Sequence, residues 1–550
     1  GPLRTRGPAG LPVPGPRGAT AAVVAAALAV AALLGAFVAR DPGLFHIGLS
    51  TDPAVWGALA AGLAAALWLI RRPEAALVVL GAFVYLNLSE VLVRQHGLPS
   101  LLQLLVLPVA VAALLDRPLR ETAAVAFQGP TLLVAAWVLT QLASTTWAWD
   151  PAHATEVVAE SVKAFVLFLV LALLARTPRR VRLLCWTAVA SGCLLAAFGA
   201  YQVATGDFDA RFGGLARIKD AHIYGDEFEP RIAGPLGDPN FFAQILLVLV
   251  PIALALAAGA PGAGRAGLAR RGVALGAAGL LVAGTVLTYS RGGALALAVV
   301  LGLSLAARGV RGREIAGALV VLVLVWVVLP AGFTRRLTTL EQLSGGGEAA
   351  LHPDSSFEKR KLVTASAWRM FLDHPVLGVG AGNYTTRFGP YAERVGSPAR
   401  EYDEPFGPNY PHNLYLEVGA ETGLVGLALF GAALAALLAG LETARRRLVL
   451  AHAAEAGGGG RTPRAWGDFG SSAALARGVQ IALVGYLVSS LFLHGQFQRY
   501  LWVLFALAVA FGDLGRRAAA RGEVPAGEPE PGAGAGAGAR TEGHTEVEAP

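Results

Sequence analysis

Charge is scarce in this 550-residue chain: 15% of residues are charged, against about 25% in soluble globular domains. That deficit excludes an ordinary cytosolic enzyme. Cysteine is scarcer still, with two residues, which excludes a disulfide scaffold and a cysteine-based metal cluster. Cys185 and Cys193 lie eight apart in one apolar run. On a helix that spacing is about 12 Å along the axis, too far for a bridge. Lysine is rare, and most of the net charge of +7 comes from arginine. Long polar tracts are few before the C-terminal tail. With 55% apolar residues and a mean hydropathy of +0.55, disorder is excluded for most of the length.

What is present is a series of apolar runs of membrane-spanning length, about 20 residues each. About fourteen can be counted, possibly twelve: residues 20–38, 54–70, 75–93, 98–115, 124–144, 157–175, 181–203, 240–258, 273–289, 292–307, 315–333, 414–438, 474–493 and 500–514. Arginines mark alternate connections: Arg71 and Arg72, Arg117 and Arg120, Arg176 with Arg179 and Arg180, Arg265 with Arg270 and Arg271, Arg308 with Arg311 and Arg313, Arg445 to Arg447, and Arg516 with Arg517. Intervening loops carry single arginines such as Arg40, Arg94 and Arg499. This positive-inside alternation places both termini in the cytoplasm. The basic loops therefore encode topology and imply no nucleic-acid partner. The first run is too long for the core of a cleaved signal peptide.

The predicted fold is an all-α polytopic transmembrane bundle. Its parts are a cytoplasmic segment at 1–18, helices over 19–203, an outer loop at 204–239, helices over 240–333, a large outer loop at 334–411, helices over 412–514, and a disordered cytoplasmic tail at 515–550 rich in Gly and Ala. Two loops stand out by length, residues 206–238 and 335–411, both on the outer side; long loops beside a membrane are candidates for function. The second is expected to fold partly as a helix over 356–373. Phe357, Val363, Trp368, Phe371 and Leu372 supply its apolar side, and Ser355 or Ser356 its cap. Such a helix lies on a membrane surface or covers a cavity.

Three outer-face features can do chemistry. Arg231 precedes Asp238-Pro239-Asn240 at the start of a span. Arg291 sits in the turn Tyr289-Ser290-Arg291-Gly292-Gly293. His412-Asn413 immediately precedes another span. Ionisable groups near a membrane core usually mark a site. Two guanidiniums and an imidazole suit a phosphate ester and a proton to be removed. Each also has a plainer reading: Arg231 as a loop residue, Arg291 as a turn-fixing donor, His412 as a helix cap. Other signals read as structure. Asp207-Phe-Asp209 is solvated loop charge, Gly378-Val-Gly380-Ala-Gly382 a bend near the cavity, Glu160 with Lys163 an i,i+3 pair, and His374 a turn residue.

Four segments carry a family resemblance: Arg231-Ile-Ala-Gly234 followed by Asp238-Pro-Asn240-Phe-Phe-Ala243; Ser290-Arg291-Gly292; His374-Pro375-Val-Leu-Gly378-Val-Gly380-Ala-Gly382-Asn383-Tyr384; and His412-Asn413, with nine residues before Gly423-Leu-Val-Gly426. In this respect residues 181–514 resemble the O-antigen ligase and O-antigen polymerase superfamily. The resemblance implies a GT-C-like membrane glycosyltransferase of the bacterial inner membrane, its active site on the periplasmic side. It implies a glycan donor linked to undecaprenyl diphosphate, and lipid A core or a growing polysaccharide as acceptor. His412 would be the catalytic base. Arg231 and Arg291 would hold the diphosphate, with Asn240, Ser290 and Asn413 beside the substrates. No cofactor or metal is implied, and the transfer would invert the anomeric centre. Apolar Leu427-Ala428-Leu429 departs from the polar continuation frequent in ligases, which keeps a polymerase open. Protein O-glycosylation shares the donor chemistry. A transporter is the alternative of another class, though no internal repeat of the kind transporters carry is visible.

Overall fold

The computed structural model describes residues 53–98, 100–115, 125, 128–224, 227–259, 264–307, 355–395, 409–457, 469–496 and 498–522. The expected spans at 20–38 and 315–333 lie outside these residues; the tail expected from 515 is helical as far as Gly522, and its remainder also lies outside. The described helices are α1 (Pro53–Ile70), α2 (Pro73–Tyr85), α3 (Leu88–His96), α4 (Leu101–Leu115), α5 (Gly129–Ser144), α6 (Pro151–Leu174), α7 (Pro178–Thr205), α8 (Pro239–Ala258), α9 (Arg265–Leu287), α10 (Arg291–Ala306), α11 (Ser355–Asp373), α12 (Asn383–Arg394), α13 (Leu414–Gly457), α14 (Phe469–Ser489) and α15 (Arg499–Gly522).

Six of these, α6, α7, α8, α9, α13 and α14, are long and apolar enough to cross a membrane. The expected span at 75–93 is instead the bent pair α2–α3, which makes a seventh if counted as one crossing. It bends by 59° at Asn87, whose φ is +50°; asparagine tolerates this left-handed conformation better than most residues. Helices α5 and α10 are apolar but shorter. The count of about fourteen thus exceeds what the described residues supply, while the multi-pass helical character stands.

Three helices start by one local device. Asp150, Thr177 and Asp238 each accept backbone N–H bonds in the first turn, and Pro151, Pro178 and Pro239 follow at the first helical position. A capping oxygen satisfies orphan donors, and proline there loses no needed N–H. α8 is the central helix, buried along almost its whole length and packed against α7, α9, α10 and α14. Close approach requires glycine at its crossing with α14: a Cβ on Gly478 would meet the Pro251 carbonyl oxygen at 2.8 Å.

The first long loop holds one departure from the all-helical expectation. Strands β1 (Ile218–Tyr224) and β2 (Glu227–Ile232) pair antiparallel, with Ile218 opposite Ile232 and Lys219 opposite Arg231. Ile232 is fully buried against Gly199 of α7, which seats the hairpin on the bundle. The expected helix of the second loop is present as α11. Val363 lies on its buried face with Ala367 and Met370, whereas Trp368 and Leu372 are half exposed. Helical periodicity puts those two on a separate, outward apolar strip.

The ends of the bundle differ in composition. One end gathers the Tyr289–Arg291 turn, His412, the end of α14 and the hairpin. At the other, Arg176 and Asp513 are both buried, 3.7 Å apart, and Arg516 and Arg517 also reach Asp513, at 3.2 and 2.9 Å.

Candidate active site

Arg231 lies at the base of the hairpin. Its Nε donates to the carbonyl of Thr288 at 2.9 Å, so the loop arginine is joined to the turn carrying Arg291. That turn is held from two sides. Ser290 Oγ accepts from Gly293 N at 3.1 Å, capping α10, and donates to Asn240 Oδ1 at 2.8 Å. Tyr289 has φ +51°, a left-handed conformation costly for an aromatic residue. Arg231, Asn240, Ser290 and Arg291 therefore converge, although 60 positions separate the first from the last.

Lys219 adds a cation. It sits directly across from Arg231 on the hairpin, on the same face, and its Nζ is 3.4 Å from Asp238 Oδ2. Burial pushes the Asp238 carboxyl up. Lys219 and the N–H groups of Asn240 and Phe241 outweigh it, and the carboxyl is left below the usual range. Asp238 is thus a charged cap that fixes the start of α8.

His412 also has a left-handed backbone, φ +47°. Such strain persists only where surrounding structure imposes it, and it concentrates at functional sites. The next residue, Asn413, is firmly anchored. Its Oδ1 accepts from Tyr415 N and Leu416 N at 3.0 Å each, and its Nδ2 donates to the Leu491 carbonyl at 3.2 Å. Leu414 N donates to the Ser490 carbonyl. Asn413 therefore caps α13 directly after His412.

A second imidazole stands beside the first. His494, between α14 and α15, meets His412 edge-on with ring centroids 5.4 Å apart. It stacks on Tyr410 at 4.1 Å and receives the edge contact of Phe241 at 5.0 Å. Phe241 follows Asn240, so these rings link the arginine cluster to His412. A Cβ on Gly292 would meet Phe492 at 3.0 Å, which brings the Arg291 turn against the same segment. Burial, with His412 adding to it and Asp238 opposing it, holds His494 down to about 3; it is neutral at physiological pH. Burial, together with Glu417 and Glu421, pushes the Tyr410 phenol up.

Two buried glutamates brace this end. Glu417 Oε2 accepts from Gly495 N at 2.9 Å, which pins the residue after His494. Glu421 Oε2 accepts from Gln496 Nε2 at 2.8 Å. Just beyond them α13 breaks at Gly423, φ +63° and ψ −162°. The glycine-rich segment fills the break. Val379 N and Gly380 N donate to the carbonyls of Ala420 and Glu421, and Leu424 N donates back to the Pro375 carbonyl. A Cβ on Gly378 would lie 2.3 Å from the Glu421 backbone, and one on Gly423 equally close to that of Val376. The expected bend is thus a splice between a loop and a broken helix. Ala381 N donates to Ser144 Oγ, and Asp150 N to Asn383 Oδ1 at 2.6 Å, tying the splice to the α5–α6 turn.

His494, Glu417 and Glu421 are not expected here from the sequence, where Lys219 stands only as one of the mixed charges of the first long loop. The glutamates were findable as isolated acids four apart in an apolar run. His494 offers no signal, because its partners are distant in sequence. Asp207 and Asp209 are exposed in their loop. Glu160 pairs with Lys163 at 2.8 Å as expected and also meets Arg499 at 3.3 Å. Both cysteines are free.

Apolar helices of spanning length define a multi-pass membrane protein, and strained polar turns and a cation cluster gather at one end of its bundle. Residues 276–431 match the O-Antigen ligase family model. The match contains Ser290, Arg291, the glycine splice and His412-Asn413, and it supports the superfamily named above, one of membrane glycosyltransferases of ligase or polymerase type. No curated protein sequence matches the chain.

Proposed function

We propose that the protein transfers a glycan from undecaprenyl diphosphate to an acceptor hydroxyl on the outer face of the bacterial inner membrane, most simply as an O-antigen ligase acting on lipid A core. The observation that carries this reading is the Arg231–Thr288 bond. It sets one arginine on the turn that holds the other, inside a site continuous through Phe241 and His494 with His412. Arg231 and Arg291 bind the diphosphate, and Asn240 and Ser290 fix the turn beside it. Asn413 holds His412 toward the acceptor. The acceptor oxygen attacks the anomeric carbon as its proton passes to His412. The bond to the diphosphate oxygen breaks, and undecaprenyl diphosphate leaves with the electron pair. Base catalysis of this kind is worth about 10²–10⁴ in rate. One guanidinium about 4 Å from the growing charge contributes about 4 kcal/mol at an effective dielectric near 20. The chemistry needs no metal; transfer persists in a strong chelator, and rescue by added divalent cation would redirect attention to Asp207 and Asp209.

A polymerase is the second reading, favoured by apolar Leu427-Ala428-Leu429 after Gly426. Purified protein given a lipid-linked glycan consumes it only when an acceptor is present. A single glycan–lipid A core product marks the ligase, and a ladder of lipid-linked chains marks the polymerase. A donor left intact with every acceptor, alongside solute flux in proteoliposomes, would overturn both.

A further inference from the structure

The end of the bundle opposite the candidate site holds a concavity. It lies between α5, α13 and α15, with a volume of about 160 Å³. From the break at Gly423, α13 runs about 36 Å to Arg447, so this pocket is remote from His412. Its polar lining is Gln128, Thr443, Arg447 and Arg516. We propose that this pocket binds the phosphate headgroup of an anionic membrane lipid.

Three observations converge on that ligand. First, the arginines differ in their partners. Arg445, Arg446 and Arg477 share Glu442, and Arg516 reaches Asp513. Arg447 has no carboxylate partner among the described residues. Second, Gln128 is 8% exposed, and its buried Nε2 has no hydrogen-bond partner among the described residues. A buried unmet donor is costly, and this one lines a pocket whose charged groups are both donors. A Cβ on Gly512 would meet Gln128 Oε1 at 3.2 Å and Arg516 at 3.9 Å, so the amide and the guanidinium meet over one glycine. Acceptor-rich phosphate is the chemistry that satisfies an amide and two guanidiniums together.

Third, the surroundings favour a lipid over free phosphate. Pro130, Leu437 and Val509 complete the lining. About one turn inward from Gln128 along α5, Leu132 is 47% exposed, an apolar side chain on the side of the arginines where acyl chains lie. Basic pockets between helices at that boundary suit anionic headgroups, whose phosphate sits level with the arginines while the tails lie on apolar surface.

The test is native mass spectrometry of the full-length protein in neutral detergent with phosphatidylglycerol or phosphatidylcholine, with and without inorganic phosphate. Phosphatidylglycerol is expected to be retained at least about tenfold better than phosphatidylcholine, and millimolar phosphate to displace little of it. Arg447→Gln abolishes that preference, and Gln128→Leu weakens it. Arg446→Gln removes the same charge from a paired neighbour and leaves it intact; a melting profile of each variant confirms folding. Equal retention of the two lipids, an unchanged preference in folded Arg447→Gln, or displacement by phosphate as effective as by lipid would each overturn the assignment.

Discussion

The two ends of the bundle bury charge in opposite ways. At the end away from the site, Asp513 is surrounded by Arg176, Arg516 and Arg517, ion against ion. At the site end, ionisable groups are positioned largely by neutral ones. Arg231 donates to a carbonyl, Glu417 accepts a backbone N–H, Glu421 accepts an amide, and His494 sits among rings. Paired ions fix an architecture. Ions oriented by backbone and amide groups are aimed, and that arrangement suits a charged ligand whose phosphate and proton come and go.

The sharpest way to break the comparison is to remove charge at the paired end. Asp513→Ala leaves three arginines around a buried gap, and losing one partner of a buried pair costs about 3–5 kcal/mol. Thermal unfolding in detergent should show the loss, while transfer per folded molecule is unchanged. A large fall in turnover with stability preserved would mean that the paired end takes part in chemistry.

Next comes the splice beneath the site. Gly378→Ala puts a Cβ 2.3 Å from the Glu421 backbone at a φ of +69°. Overpacking against backbone and a left-handed alanine together cost about 2–4 kcal/mol. Gly389 on α12 has no atom within 4 Å of its would-be Cβ, so Gly389→Ala should be neutral or slightly stabilising. Equal melting temperatures for the two variants would contradict the splice.

Arg291→Lys keeps charge but loses the planar fork. Binding of undecaprenyl diphosphate should weaken by about tenfold or more, about 1.4 kcal/mol, with little change in melting temperature. Unchanged affinity would reduce Arg291 to a turn residue.

The smallest effect is in pH. His494 is held down to about 3 in the folded protein, against about 6.5 when unfolded. Between those values the unfolded chain binds the extra proton, so stability rises with pH through the window and is lost as pH falls below about 6.5. At pH 5.5 the loss is about 1.4 kcal/mol. Asp238, held low by Lys219 and backbone donors, adds a loss of the same sign only near its unfolded value of about 3.9. His494→Phe should flatten the melting temperature between pH 7.5 and 5.5; an identical slope would mean that His494 titrates normally.

Much of this site was legible in the sequence because its residues stand where apolar runs stop. Arg231 before Asp238-Pro239, Ser290-Arg291 between two runs and His412-Asn413 before another are boundary features, and boundaries show in one dimension. Helix α11 was legible from its periodicity. The bend at Asn87 was not, because one asparagine in an apolar run interrupts neither hydropathy nor length. The hairpin left a trace, Gly225-Asp226 between two short runs, a two-residue turn signal obscured by the loop's mixed charge. His494 and the glutamates act through partners about 80 residues away, as Gly495 does with Glu417 and Gln496 with Glu421, and no local pattern encodes such a pairing.

The central claim is that the arginine turn binds donor while His412 moves the proton. Its most direct measurement compares His412→Ala with the Arg231→Ala, Arg291→Ala double variant, reading undecaprenyl diphosphate affinity and acceptor-dependent transfer in the same preparations. His412→Ala should bind donor like the parent protein and lose about 10²–10⁴ in transfer. The arginine variant should lose donor binding itself. Full transfer by well-folded His412→Ala, or unaltered donor affinity in the double arginine variant, would contradict the account.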